Sequence, residues 1–201
     1  MNVSKAADLL AKAAVESNRL QRHLLVAAAL REVLHQEPII VGGTAEEFYT
    51  AVGYHETDLD LCGTVSRDEE NILVDLGFER AGRHRFHAAS NVAVEFPEAR
   101  IDGDESRVYR RRVKTGIAPI IGVDDLYLDR LRQATSRQEP DTIEYRSALA
   151  VAAAAFDRID WRYVARRIRK TQQADPILGE AMKRVDNRIR RTVKKSFAGP
   201  R

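Results

Sequence analysis

Residues 39–61 read IIVGGTAEEFYTAVGYHETDLDL, and the order of residue types within them decides the fold. An apolar run comes first, followed by the glycine turn GGT at residues 42–44, about a helix's length of chain, and the alternating DLDL of residues 58–61. Alternation with a period of two is typical of a half-buried strand. The stretch therefore predicts a strand, a glycine turn, a helix and a second strand.

Two carboxylates lie close together on the predicted second strand. Because Asp58 and Asp60 are two residues apart, both side chains leave one face of the sheet, while Leu59 and Leu61 enter the core. Adjacent carboxylates repel each other unless a cation lies between them, and a hard cation such as Mg²⁺ prefers oxygen ligands. Asp58 and Asp60 are therefore predicted metal ligands, or else solvated acids beside an ordinary glycine turn.

The glycine turn at the other end of the stretch is suited to bind phosphate. Gly42 and Gly43 would let the backbone approach a ligand closely, and the helix that follows would present free N–H groups from Thr44 onward. A triphosphate would then lie between this turn and the metal.

This combination resembles the DNA polymerase beta-type nucleotidyltransferase superfamily. Its signature is a hydrophobic residue, Gly-Gly or Gly-Ser, a spacer, and then Asp-hydrophobic-Asp-hydrophobic; Val41-Gly42-Gly43 and residues 58–61 match it. The chain departs from the pattern at Thr44, where many relatives have Ser, and in a slightly longer spacer. The resemblance implies an α+β fold with a small mixed β-sheet, and Mg²⁺-dependent transfer of a nucleoside monophosphate from an NTP, such as ATP, to a hydroxyl group.

A third carboxylate lies in the segment GRHRFHAASNVAVEFP of residues 82–97, which predicts strands over residues 83–87 and 92–96 around a short turn. Glu95 is a lone acid in the otherwise apolar second strand. In the superfamily, a strand neighbouring the Asp-x-Asp strand supplies a third metal-binding carboxylate, more often Asp, and the resemblance implies this role for Glu95. The alternative is an edge-strand carboxylate paired with Arg83 or Arg85.

Residues 124–149 carry a second resemblance, to small bacterial nucleotidyltransferases that include the AbiEii and MenT toxins of toxin–antitoxin pairs. In these proteins a helix with a Lys is followed by an Arg-containing turn and an Asp that starts the next helix. Arg130 matches the Lys, Arg137 the turn arginine and Asp141 the Asp. The resemblance implies that Arg130 meets the triphosphate and Asp141 orients it, although Arg differs from Lys in geometry. Alternatively, Asp141 is a plain N-cap in a helix-loop-helix.

Length and composition indicate a soluble, folded protein. A chain of 201 residues, 44% hydrophobic and 31% charged, is long enough to bury a core. We expect N-terminal helices over residues 1–37, a nucleotidyltransferase core over 38–122 and a helical region over 123–201. Cys62 is the only cysteine, which excludes an intrachain disulfide and indicates a reducing, cytoplasmic setting. The sequence predicts no signal peptide, membrane span or membrane partner.

Positive charge is concentrated near the C-terminus. The chain carries +3 overall, but residues 158–201 contain 14 Lys or Arg and 4 Asp or Glu, a net +10, so the first 157 residues carry −7. In the predicted last helix, basic residues recur at three- and four-residue steps and form a stripe: Arg184, Arg188, Arg191 and Lys195. The stripe favours RNA as acceptor, first of all a tRNA 3′ end, or an acidic partner such as an antitoxin. It could also be a solvated helix face.

Two other function classes fit the sequence. One is nucleotidyl transfer to a small molecule, as in antibiotic nucleotidyltransferases, and the other is a non-catalytic binding module with this fold. The remaining expected elements are one or two helices over residues 4–35 with a break near 17–18, helices over 44–52 and 67–76 (N-cap Ser66, stop Gly77), strands over 107–114 and 118–121, and helices from 123, over 157–170 and over 176–197.

Overall fold

The computed structural model describes residues 1–52, 58–136 and 142–197, which contain eight α-helices and seven strands. The helices are α1 (Val3–Ala14), α2 (Arg19–Val33), α3 (Gly42–Thr50), α4 (Arg67–Asp75), α5 (Val123–Thr135), α6 (Ile143–Ala154), α7 (Trp161–Ala174) and α8 (Pro176–Phe197). The strands are β1 (Ile39–Ile40), β2 (Leu59–Cys62), β3 (Phe78–Ala81), β4 (His84–His87), β5 (Val92–Glu98), β6 (Tyr109–Val113) and β7 (Gly116–Ile120).

The described chain divides into two compact units. Residues 1–48 and 58–121 form the first, and residues 49–52 and 122–197 form the second. All seven strands belong to the first unit, together with α1, α2, α4 and α3 as far as Phe48, whereas the second unit is helical. The predicted α+β class is confirmed. None of the described helices is both long enough and apolar enough to cross a lipid bilayer.

The strands form one mixed sheet in the order β3-β4-β5-β2-β1-β7-β6. β2 runs parallel to β5 and β1 parallel to β7, while the other neighbours are antiparallel. The predicted strands of residues 39–61 are therefore central. Strand β3 was not predicted, because only Phe78 of its four residues is buried and the segment shows no apolar alternation. At the other edge, exposed arginines on β6 discourage pairing with another chain.

The N-terminal helices follow the predicted pattern. The break falls at Asn18, whose side chain accepts a hydrogen bond from the backbone N–H of Gln21 (2.9 Å) and so caps α2. Helix α2 packs against α1 and against several strands of the sheet, and its residues 24–30 are all buried.

Helix α3 begins two residues earlier than predicted, at Gly42 rather than Thr44, and ends at Thr50. The Val41 N–H still bonds to the Asp60 carbonyl (3.0 Å), while the Val41 carbonyl already accepts from Ala45 (3.3 Å). The passage from strand to helix therefore falls on a single residue, Gly42, whose φ is +60°. Glycine adopts this left-handed conformation without the steric cost of a Cβ.

Helix α4 has the predicted N-cap in the form of a capping box between Ser66 and Glu69. The buried Glu69 carboxylate accepts backbone N–H groups of Ser66 (2.7 Å) and His35 (2.6 Å). Burial by itself would raise its pKa, but the hydrogen bonds from Ser66 and His35 outweigh burial and hold the pKa at about 2. Gly77, with φ +90°, follows the helix as predicted.

The second unit packs α5 to α8 around a small aromatic core. The buried Tyr127 of α5 donates to Asp186 of α8 (2.9 Å) and meets Trp161 edge to face. In α7, the Tyr163 hydroxyl donates to the fully buried Asp125 carboxylate (2.6 Å). These contacts fix the helices through hydrogen-bonded buried polar groups, as packing in a low-dielectric interior requires.

Candidate functional site

The three predicted carboxylates lie on one face of the central sheet. Strands β2 and β5 are parallel neighbours in which Asp60 is the register partner of Glu95. Register partners on adjacent strands point to the same face, and Asp58, two residues before Asp60, joins them there. Glu95 lies on an interior strand of the sheet, so the alternative of an edge-strand carboxylate is wrong. One pairing of that alternative is present, since Arg83 Nε lies 3.3 Å from Glu95 Oε2.

A histidine that the sequence analysis did not identify lies between two of these carboxylates. His84 on β4 is the antiparallel partner of Glu95, and its Nε2 lies 2.9 Å from Asp58 Oδ2 and 3.3 Å from Glu95 Oε2. The signal was present in the hairpin: counting outward from the turn that joins β4 to β5, residue 84 falls opposite residue 95. Only the pairing, not the spacing along one strand, brings His84 to the site.

Asp58, His84 and Glu95 form a cluster suited to a divalent cation. The ligand atoms of Asp58, His84 and Glu95 all lie within 4.8 Å of one another. His84 Nε2 is buried and has no hydrogen-bond partner among the described residues, so both contacts to carboxylate oxygens lack hydrogen-bond geometry. A buried polar atom without a partner is costly. A cation held by the nitrogen and both carboxylates would remove that cost, and the donor set therefore fits a metal ion.

The start of α3 packs directly against Asp60. A Cβ added at Gly42 would collide with Asp60 Oδ2 and lie 3.1 Å from its Cγ. The predicted glycine turn and the predicted metal-binding strand are thus in contact. The absence of a side chain at residue 42 is what allows this approach.

Thr44 directs its side chain into the protein interior. It is fully buried, and its hydroxyl lies 3.0 Å from Nδ1 of the buried His23. Burial, followed by the charges of Arg19 and Arg22, lowers the pKa of His23 to about 4, although Asp58 acts in the opposite direction. The imidazole is therefore neutral at pH 7. A phosphate at this turn would meet backbone N–H groups of the first helical turn rather than this hydroxyl.

The residues of the second resemblance belong to the other unit. Arg130 lies on α5, is only 4% exposed, and donates from Nη1 to Gln133 Oε1 (2.8 Å). Its role on a triphosphate stays a prediction. Arg137 and Asp141 lie outside the described residues, and the N-cap of α6 is Thr142.

The basic stripe of α8 is exposed along its length. Its four members are Arg184, Arg188, Arg191 and Lys195. Together with Asn187 and Thr192 they line a groove of about 400 Å³ in the part of the chain that the structure describes. Arg188 also lies over the ring of Tyr145, 5.2 Å from its centre. The buried side of α8 carries Met182, Ile189 and Val193.

Comparisons with known proteins support the fold. No protein-family model and no curated protein matches the sequence. Among solved structures, the chain matches the crystal structure of an antigenic nucleotidyltransferase-like protein from Paracoccidioides brasiliensis, with a TM-score of 0.53 and 15% identity. The match covers 84% of this chain and 94% of that chain. The resemblance to the AbiEii and MenT groups stays a prediction, whereas the chain has the nucleotidyltransferase-like fold that residues 39–61 predict.

Proposed function

We propose that the protein is a metal-dependent nucleotidyltransferase that moves a nucleoside monophosphate from an NTP to a hydroxyl acceptor. The observation that carries the proposal is the convergence of Asp58, Asp60 and Glu95 on one sheet face, with the glycine-led start of α3 packed against Asp60. Carboxylates beside a helix N-terminus suit a metal-bound triphosphate, because each binds one part of it.

Asp58, Asp60 and Glu95 would hold Mg²⁺. When bound, Mg²⁺ would neutralise triphosphate charge and assist deprotonation of the acceptor hydroxyl. The backbone N–H groups from Gly42 through Thr44 would bind the β- and γ-phosphates, with the α3 dipole adding to the attraction. Arg130 and Asp141 are proposed to orient the same triphosphate.

The reaction exchanges one phosphorus–oxygen bond for another. The acceptor oxygen forms a bond to the α-phosphorus, and the bond from that phosphorus to the oxygen that bridges to the β-phosphorus breaks. Pyrophosphate leaves with the electron pair of the broken bond, and the hydroxyl proton passes to water. The contribution of the chain is to position the two reactants and to stabilise the developing charge.

RNA is the proposed acceptor, and a tRNA 3′ end is the first candidate. The support is the exposed α8 stripe and the net +10 of residues 158–201, which suit contacts to a phosphate backbone. A role as the toxin of a toxin–antitoxin pair, with an antitoxin as partner, rests on the sequence resemblance.

The direct test incubates purified protein with Mg²⁺, each labelled NTP in turn and total tRNA. Wild type should label RNA with at least one NTP, while the near-isosteric Asp60→Asn variant should be inactive and fold normally. Labelling by Asp60→Asn would refute the assignment of Asp60 to the metal. If wild type labels no RNA, the acceptor is a small molecule or the protein only binds its partner, and an NTP-dependent thermal shift separates these two outcomes.

A matched pair of double variants tests the acceptor surface. Arg184→Gln with Lys195→Gln removes two stripe charges, and Lys183→Gln with Lys194→Gln removes two exposed charges, equally spaced, from another side of α8. We expect the first variant alone to weaken tRNA binding and to reduce the slope of log affinity against log salt by about 1.4, at roughly 0.7 per lost contact. Equal losses in both variants would show that only net charge matters.

A further inference from the structure

The imidazole of His84 is placed as a metal ligand would be. Its Nε2 is buried, makes no hydrogen bond to the part of the chain that the structure describes, and faces oxygens of Asp58 and Glu95 at 2.9 and 3.3 Å. An imidazole nitrogen placed between two carboxylate oxygens can bind a cation that the carboxylates also bind.

The spacing of the three donors agrees with coordination of one ion. With metal–ligand bonds of about 2.1 Å, two neighbouring ligands at a right angle are about 3 Å apart. The distances from His84 Nε2 to Asp58 and Glu95 are close to this value, and all three donor atoms lie within 4.8 Å of one another. Little movement of the side chains would be needed to bind the ion.

We propose that His84 is a ligand of the metal at this site and that it makes the site prefer a first-row transition-metal ion, Mn²⁺, over Mg²⁺. The inference deepens the proposed function, since it concerns the same metal site. Mg²⁺ prefers oxygen donors and gives up its bound water reluctantly, so an imidazole nitrogen adds little to its affinity. The same nitrogen raises the affinity of transition-metal ions. A site with carboxylates alone would favour Mn²⁺ over Mg²⁺ less strongly.

Direct metal binding to the full-length, metal-free protein tests the inference without any nucleotide. Free Mn²⁺ is measured by its electron paramagnetic resonance signal during titration, and Mg²⁺ affinity is measured by competition. The His84→Asn variant replaces the ring by a short amide. We expect this variant to lower the affinity for Mn²⁺ by roughly tenfold or more. Removing a residue that only hydrogen-bonds to a metal ligand already lowers metal affinity by roughly this factor, so loss of the ligand itself should cost no less. Mg²⁺ affinity should change less.

Arg83→Ala is the matched control. Arg83 is exposed and lies 3.3 Å from Glu95, so its removal takes a positive charge away from the site. Because both ions carry the same charge, Arg83→Ala should raise both affinities by the same factor and leave the Mn²⁺ preference unchanged.

Three results would overturn the inference. The first is a wild type that binds no Mn²⁺. The second is a His84→Asn variant whose Mn²⁺ affinity is within twofold of that of wild type. The third is a His84→Asn variant that loses affinity for Mn²⁺ and Mg²⁺ by the same factor. Circular dichroism verifies that the variant is folded, and His84→Gln provides a second substitution if it is not. Failure of the proposed function gives a different result: Mn²⁺ would bind through His84, but no nucleoside monophosphate would be transferred from any NTP with either ion.

Discussion

Replacing Gly42 by alanine should disrupt the site through the contact between α3 and Asp60. Gly42 has φ +60°, and an added Cβ would collide with Asp60 Oδ2. Gly82 provides a matched comparison in the same unit, since its φ is +63° but nothing lies within 4 Å of an added Cβ. The two substitutions therefore share the backbone cost and differ in the collision.

The two costs can be estimated separately. The left-handed conformation costs a residue with a Cβ roughly 1–2 kcal/mol, and the reduced freedom of the unfolded chain returns roughly 0.4–1 kcal/mol, so Gly82→Ala should destabilise by about 1 kcal/mol. Forcing a group into a packed space adds roughly 1–3 kcal/mol, which brings Gly42→Ala to about 2–4 kcal/mol. At about 2–4 °C per kcal/mol for a chain of this size, the melting temperatures should differ measurably.

The assay combines thermal unfolding with metal binding and nucleotide transfer. Gly42→Ala should lower the melting temperature more than Gly82→Ala and should lose transfer because Asp60 is displaced. Gly82→Ala should retain transfer. If both variants melt together and both remain active, the contact between the start of α3 and Asp60 neither stabilises the fold nor positions the carboxylate, and the reasoning fails.

Three further predictions concern the supports of the fold. The pKa of Glu69 is near 2 against an ordinary 4.5, so its ionised carboxylate stabilises the folded protein by about 3 kcal/mol above pH 4.5, and this stabilisation is lost as the pH falls toward 2. Glu69→Gln should therefore be less stable than wild type at pH 7. A stability difference in thermal melts that does not shrink between pH 4.5 and pH 2 would contradict this prediction. Thr44→Val leaves buried His23 without its partner and should cost roughly 1–3 kcal/mol in urea unfolding, whereas Thr44→Ser should be near wild type; equal losses would argue against the hydrogen bond. Gly179→Ala in α8 would push a Cβ into the backbone of Gln172 in α7, so it should destabilise by roughly 1–3 kcal/mol although alanine favours helices, and a raised melting temperature would refute this close packing.

A preference of the site for Mn²⁺ over Mg²⁺ would also change how nucleotide transfer should be assayed. If His84 tunes the site toward Mn²⁺, transfer measured only with Mg²⁺ would underestimate the activity of wild type. Parallel reactions with both ions are therefore the informative design. His84→Asn should then reduce the difference between the two ions.

Several features of the protein were determined locally and could be predicted from the sequence. The alternation in residues 58–61 specifies one buried and one polar face because strand side chains alternate. Asn18 and Ser66 begin helices because their side chains accept backbone hydrogen bonds within the next three residues. Each of these depends on atoms close together in the chain.

Other features were decided by contacts between distant segments. Glu95 became a partner of Asp60 only through parallel pairing of β2 with β5, and His84 entered the site only through the register of β4. Thr44 is predicted to present its backbone N–H group to phosphate, and this stays a prediction, whereas only the packing of α2 places His23 against its hydroxyl. The sequence by itself determined which residues could bind a metal and phosphate. Tertiary structure decided which of them meet, because strand pairing and helix packing bring together residues from different segments of the chain.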